Sequence, residues 1–338
     1  MNYTREQLHE RHRLSHQQID RWLGENSEGR FLDEKLKQLE RVKMFLNVSR
    51  LLKENGVDFV SFKGPLLSYR IYGDTSVRYS HDVDLLIKMD DIDKVVKILF
   101  ENGYHFTEHA FWPEKKAQQE LLIRAVRHLS FINPRTNFVV EIHWVLMQEL
   151  PLSRKRQREI LANNLTEIEF GGQKHSVLKP ELELLYLMIH GVSHRWERLK
   201  WLADIRHYPF KEVNAEKFNK LVKEFRAGRI VGQTDFMLKK FFNESLPFSR
   251  NGHFPAKLVD YSIQAVNSEI KVEKPFADLM IVFKNNYLMF PGLKYKSKII
   301  WGAFFRHGDL QVINSSSKLV YYLYRPYSLI KRRILRAG

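Results

Sequence analysis

Apolar positions divide the chain into elements before any chemistry is considered. Leu36, Leu39, Val42, Leu46, Val48 and Leu52 recur at broadly helical spacing and stop at Gly56. This predicts a helical lead-in over residues 1–56. In "VDFVSFKGP", Val57, Phe59 and Ser61 alternate with Asp58, Val60 and Phe62, the pattern of a short strand ending at Lys63-Gly64. Pro65 then opens a helix at a position where proline is tolerated, and Gly73 closes it. "SHDVDLLIKM" reads as the next strand. "DDIDKVVKILFENGYH" places Ile92, Val95, Val96, Leu99 and Phe100 on one helical face before Gly103.

"HLSFINPRTNFVVEIHWVL" predicts a hairpin, because two β-rich runs flank the turn-forming residues 133–137. A shorter β segment is expected in "EIEFGGQKHSVL", turning at Gly171-Gly172. From Pro180 the period changes, and a mostly helical region is expected to the end of the chain. Its first helix is expected to carry on through Arg195, Lys200, Trp201 and Asp204. The organisation is thus a helical segment (1–56), a mixed α/β core (57–178) and a C-terminal helical part with a basic tail (179–338).

Composition narrows the partners. The 338 residues carry a net charge of +16, which favours polyanions such as nucleotides, nucleic acid or an anionic membrane surface. Cysteine is absent, so disulfides and thiolate metal sites are excluded. The N-terminal residues show neither a signal-peptide apolar stretch nor a transit pattern, and no apolar run approaches the roughly 18–20 residues of a membrane span. A cytoplasmic location is expected.

The chemistry concentrates at "RYSHDVDLLI". Side chains alternate along a strand, so Asp82 and Asp84 share one face, with Cα atoms roughly 6–7 Å apart. Val83, Leu85 and Ile87 face the core on the other side. Two carboxylates this close raise each other's pKa unless a positive charge intervenes, and a divalent cation, Mg²⁺ first, is the usual remedy. In "FVVEIHW", Glu141 interrupts an apolar run and shares its face with Val139 and His143. A carboxylate there is costly unless paired or metal-bound. A third carboxylate on a neighbouring strand completes a two-metal arrangement suited to in-line phosphoryl chemistry.

"FKGPLLSYRIYGDTSVRYSHDVDLLI" followed by "VVEIHW" resembles the polymerase-β-like nucleotidyltransferase superfamily. More narrowly it resembles a largely uncharacterised bacterial nucleotidyltransferase family, over about residues 45–210. The later "LYLMIHGVSHRWERLKWLADI" is similar to that family's helical region. The resemblance implies an α+β fold: a small mixed sheet flanked by helices, with a helical lead-in and a helical C-terminal domain. It also implies a metal site of Asp82, Asp84 and Glu141 holding Mg²⁺, with Mn²⁺ as the alternative ion. The reaction implied moves an NMP from an NTP such as ATP to a hydroxyl, with Lys63, Gly64, Arg78 and His143 on the nucleotide side. The superfamily's usual Gly-Gly or Gly-Ser is Gly64-Pro65 here, and Pro65 lacks an N–H for phosphate.

His190 and His194 lie four apart and share a helical face. Gly191 stands where a zinc-protease helix needs Glu, so contact with acceptor or nucleotide is the better reading. The tail, with Lys331, Arg332, Arg333 and Arg336 among aromatics, suits RNA or peripheral contact with an anionic membrane. Three functions follow in order: transfer to a small-molecule or biosynthetic acceptor, transfer to RNA such as a tRNA end, and a non-catalytic nucleotide-binding module.

Overall fold

The computed structural model describes residues 3–26, 31–108, 110–147, 150–248, 253–269, 276–304, 307–313, 315 and 317–334. Among these, seven strands form one mixed sheet: β1 (Phe59–Ser61), β2 (Asp82–Ile87), β3 (His105–Phe106), β4 (His128–Asn133), β5 (Phe138–His143), β6 (Leu165–Phe170) and β7 (Gln173–Leu178). The order across the sheet is β3-β4-β5-β2-β1-β7-β6. The expected hairpins β4–β5 and β6–β7 are antiparallel, whereas β2 lies parallel to β5 and β1 parallel to β7.

The helices that precede or interleave with the strands are α1 (His16–Leu23), α2 (Leu32–Glu54), α3 (Gly64–Tyr72), α4 (Ile92–Glu101), α5 (Lys116–Ala125) and α6 (Arg154–Asn163). The C-terminal part is helical: α7 (Pro180–Ser193), α8 (Leu199–Arg206), α9 (Ala215–Glu224), α10 (Gly228–Phe242), α11 (Ala256–Asn267), α12 (Phe276–Met289), α13 (Leu293–Ala303) and α14 (Lys318–Ile334). This is the α+β architecture expected, a mixed sheet with helical flanks.

Alternation along the central strands assigns the two sheet faces. Val83, Leu85 and Ile87 of β2 and Phe138, Val140 and Ile142 of β5 pack against Phe45, Val48 and Leu52 of α2 and against Val95 and Leu99 of α4. Full burial of each such side chain contributes about 1.5–3 kcal/mol. Leu86 points the other way, into a second cluster with Phe62, Leu185 and Tyr186. Asp82 and Asp84 lie on the Leu86 side. The strand is therefore anchored by one face while the opposite face is left for polar groups.

Two local expectations change. The buried positions of α2 are Gln38, Phe45, Val48, Ser49 and Leu52, while Leu36 and Leu39 are 50% and 44% exposed. The first half of α2 meets the polar segment before β2 instead of the apolar core: Gln38 accepts the Ser80 N–H at 3.3 Å, and Arg41 lies over the Tyr79 ring. The helix opened at Pro180 also stops at Ser193 and does not run through to Asp204. Arg195 and Trp196 adopt left-handed φ values of 56° and 51°, turning the chain before α8. The Trp196 ring then folds back onto Gly191, where a Cβ would come within 2.3 Å of it. Glycine at 191 therefore serves the packing of a fully buried tryptophan.

Candidate active site

The acids come together through strand register. Across the parallel β2–β5 pair, Asp84 is opposite Glu141 and Leu86 is opposite His143, with Asp82 one step back opposite Val139. Across β4–β5, His128 is opposite His143 and Ser130 opposite Glu141. Paired residues project to the same face, so Asp82, Asp84, Glu141, His143 and His128 share one surface of three adjacent strands. The third carboxylate thus sits on the neighbouring strand, beside Asp84.

Lys63 closes this surface from β1. Gly64, at φ +69°, turns the chain from β1 into α3, a backbone conformation that favours glycine. The Lys63 side chain spans to Asp84, with Nζ 3.1 Å from Oδ1, and its ammonium also lies 5.7 Å from the Tyr186 ring centre. The same Asp84 oxygen is 2.9 Å from His143 Nε2, which is 3.2 Å from Glu141 Oε2. Burial opposes the Lys63 ammonium, but the Asp84 charge, together with Tyr186 and Glu141, outweighs it and holds the amine above its usual range. Burial likewise opposes the Asp84 charge, and the Lys63 ammonium and His143 more than offset it, so this carboxyl stays ionised far below the usual carboxylate range.

Asp84 is 1% exposed, and among the described residues its second oxygen, Oδ2, accepts no hydrogen bond. A buried carboxylate oxygen left bare is costly. An oxygen so placed suits a divalent cation, which takes carboxylate ligands. His128, Glu141 and His143 also place ligand atoms within 4.8 Å of one another. Burial, reinforced by His143, depresses the His128 pKa to about 4, so the ring is neutral near pH 7.

Arg78 is buried and engaged elsewhere. Its Nε donates to Asp204 Oδ2 on α8 at 2.8 Å, and its backbone N–H donates to Ser68 Oγ at 3.0 Å. Asp204 Oδ1 accepts the Tyr72 hydroxyl at 3.2 Å, and Gln18 donates to that hydroxyl at 2.8 Å. A second buried pair, Arg70 to Glu183 at 2.8 Å, ties α3 to α7. Asp82 is half-buried, and its charge acts on Arg78 and Lys200. Burial, then the Arg78 charge, lowers the Lys200 pKa to about 7.

His190 and His194 border a cleft of about 390 Å³ that is also lined by Arg127, Tyr186, Arg195 and Glu197. Tyr186 joins this cleft to the Lys63–Asp84 pair. Burial, with Lys63 and His194 adding to it, keeps His190 well below its usual pKa. Trp201 is buried and packs on both imidazoles, with ring centres 5.2 and 4.9 Å away. A larger cavity of about 790 Å³, lined by Val60, Leu86, Trp144 and Arg158, contains none of the site acids. The smaller cleft is not lined by Asp82, Asp84 or Glu141 either, but it adjoins the Lys63–Asp84 pair through Tyr186.

Sequence reasoning missed His128, Tyr186, Lys200 and the partner of Arg78. The hairpin register carried a signal for His128, since the turn at 134–137 sets it opposite His143. Tyr186 and Asp204 arrive from distant helices and have no local signature.

A family model described as uncharacterised nucleotidyltransferase matches residues 12–243. The chain belongs to this nucleotidyltransferase family. The matched span holds every site residue named above. The chain is an enzyme of the NMP-transferring class. Among solved structures it is similar to the antibiotic-resistance factor ANT(2'')-Ia in solution, at 13% identity and TM-score 0.38, covering 56% of this chain and 92% of that one. ANT(2'')-Ia in complex with adenylyl-2''-tobramycin matches at 12% identity and TM-score 0.38, covering 55% and 97%. An antigenic nucleotidyltransferase-like protein from Paracoccidioides brasiliensis matches at 16% identity and TM-score 0.30, covering 63% and 94%. No match is found among curated proteins. Among the described residues, no helix is long and apolar enough to cross a membrane.

Proposed function

We propose that this nucleotidyltransferase moves an NMP from an NTP to a hydroxyl of a small-molecule or biosynthetic acceptor, with Mg²⁺ held by Asp82, Asp84 and Glu141. The observation that carries this reading is the pairing of Asp84 with Glu141 across parallel strands, with a buried Asp84 oxygen that has no hydrogen-bond partner among the described residues. A divalent ion bound there supplies Lewis-acid stabilisation of phosphoryl oxygens and a more acidic attacking hydroxyl. The chain's own residues position the substrates. Lys63 and the start of α3 at Gly64 offer positive potential to the phosphates, although Pro65 contributes no N–H. Arg78, fixed by Asp204, adds a cationic charge behind Asp82. His143 bridges Asp84 and Glu141 and holds their orientation. The cleft at His190 and His194 is assigned to acceptor or nucleotide.

The net charge of +16 supports a second reading, an RNA acceptor. On α14, Leu319, Leu323, Tyr327 and Ile330 are exposed next to Lys331, a pattern that suits RNA or an anionic membrane surface. The side chains of Arg332, Arg333 and Arg336 lie outside the described residues. The working location is the cytoplasm. The test is incubation of the full chain with each labelled NTP and Mg²⁺, against a metabolite extract and against total RNA. Label in small molecules that is lost in Asp84→Asn supports the first reading, and label in RNA alone selects the second. If no label transfers but nucleotide still binds, the chain is a binding module.

A further inference from the structure

The sheet face that carries the acids also carries two imidazoles that the proposed reaction leaves without a ligand role. His128 and His143 are cross-strand partners on β4 and β5, with ring centres 4.7 Å apart. Their Nε2 atoms converge on one carboxylate: His128 lies 3.7 Å from Glu141 Oε1, and His143 lies 3.2 Å from Glu141 Oε2. The ligand atoms of all three lie within 4.8 Å of one another. The adjoining Asp84 brings Oδ1 to 2.9 Å from His143 Nε2, and its Oδ2 is buried without a hydrogen-bond partner among the described residues. Neither Nδ1 atom has a hydrogen-bond partner among the described residues.

We infer that Glu141, His128 and His143 form a nitrogen-bearing metal position that takes a first-row transition ion, Mn²⁺ or Co²⁺, more tightly than Mg²⁺. The inference rests on the metal-dependent reading of the site given above and adds to it two ligands and an ion preference. Mg²⁺ is hard, dehydrates reluctantly and is served by oxygen. Imidazole nitrogen moves a site toward the transition ions, whose affinity for mixed nitrogen and oxygen donors rises from Mn²⁺ to Co²⁺. The scaffold favours this grouping, because both histidines stand on hydrogen-bonded neighbouring strands and need only side-chain rotation to meet one ion. Glu141 has two oxygens and directs one toward each ring. Among the site residues named above, Asp82, Asp84 and Glu141 supply oxygen only, so His128 and His143 are the ones that distinguish one divalent ion from another.

The test uses the metal-free full-length protein without nucleotide. Calorimetric titration with MnCl₂ and with MgCl₂ gives the preference, expected to be at least about tenfold for Mn²⁺. Pulsed electron paramagnetic resonance of bound Mn²⁺ is expected to show nitrogen hyperfine coupling in the wild type, weakened in His128→Ala. The wild-type spectrum needs no variant to fold. Equal affinities for the two ions, or bound Mn²⁺ without nitrogen coupling, overturns the inference. Labelled NMP transfer with Mg²⁺, measured in parallel, reads the enzymatic proposal separately. Transfer without nitrogen coupling keeps the reaction and discards the inference, whereas nitrogen-coupled Mn²⁺ in a chain that transfers nothing does the reverse.

Discussion

The Lys63 ammonium lies 3.1 Å from the Asp84 carboxylate, and both side chains are largely buried. Breaking such a pair on one side leaves an uncompensated charge in a poorly solvated place. Lys63→Met is expected to cost about 3 kcal/mol of folding stability, read from urea unfolding. The double variant with Asp84→Asn is expected to recover part of that loss, because the stranded charge is gone. Additive losses would show that the pair is not coupled.

Asp84 and Glu141 carry the proposed chemistry together. Asp84→Asn and Glu141→Gln are each expected to reduce labelled NMP transfer below about a hundredth of wild type. The double variant is expected to fall little further, since either loss dismantles the same site. Circular dichroism separates this from unfolding.

Lys200 gives the pH signature. Its folded pKa is about 7 against an ordinary 10.5, with burial the main cause. Below pH 7 the amine is charged in both states, and its burial penalty is fully present. Between about 7 and 10.5 the unfolded chain binds the proton and the folded chain does not, so stability rises with pH across that window. Lys200→Met removes the titration. Its stability advantage over wild type is expected to be largest at pH 6 and to shrink steadily toward pH 10. A constant difference across that range would contradict the assignment.

Gly191→Ala places a methyl against the rigid Trp196 ring, at a distance no real contact shows. The expected cost is about 1–3 kcal/mol from overpacking. Trp196 fluorescence should report the displacement, and an unchanged emission and unfolding midpoint would refute the packing account.

What could be read from the residues was whatever has a short period. Alternation exposed β2 and β5 and put Asp82, Asp84 and Glu141 on the faces where they are found. Glycines marked the ends of α3 and α4, and Asn133-Pro134 began the β4–β5 turn. The rest depends on partners far away in the chain. Nothing near Arg78 announces Asp204, 126 positions later. The break after Ser193 depends on a tryptophan folding back onto a glycine, while helical periodicity continues across it. Leu36 and Leu39 matched the apolar period of α2 but lie beyond the part of the helix that reaches the core. His128 needed the register of its own hairpin, which the turn residues fix but composition does not.

The two buried arginine pairs bear on how the chain can be shortened. Arg70 and Arg78 belong to the stretch around the sheet, but their counter-ions Glu183 and Asp204 belong to the helices after it. A fragment ending at residue 178, where the apolar period changes, would strip both guanidiniums of their ion-pair partners and bare the surface those helices cover. A minimal version of this enzyme must therefore extend at least through α8, and the catalytic sheet should not outlive removal of the helices that follow it.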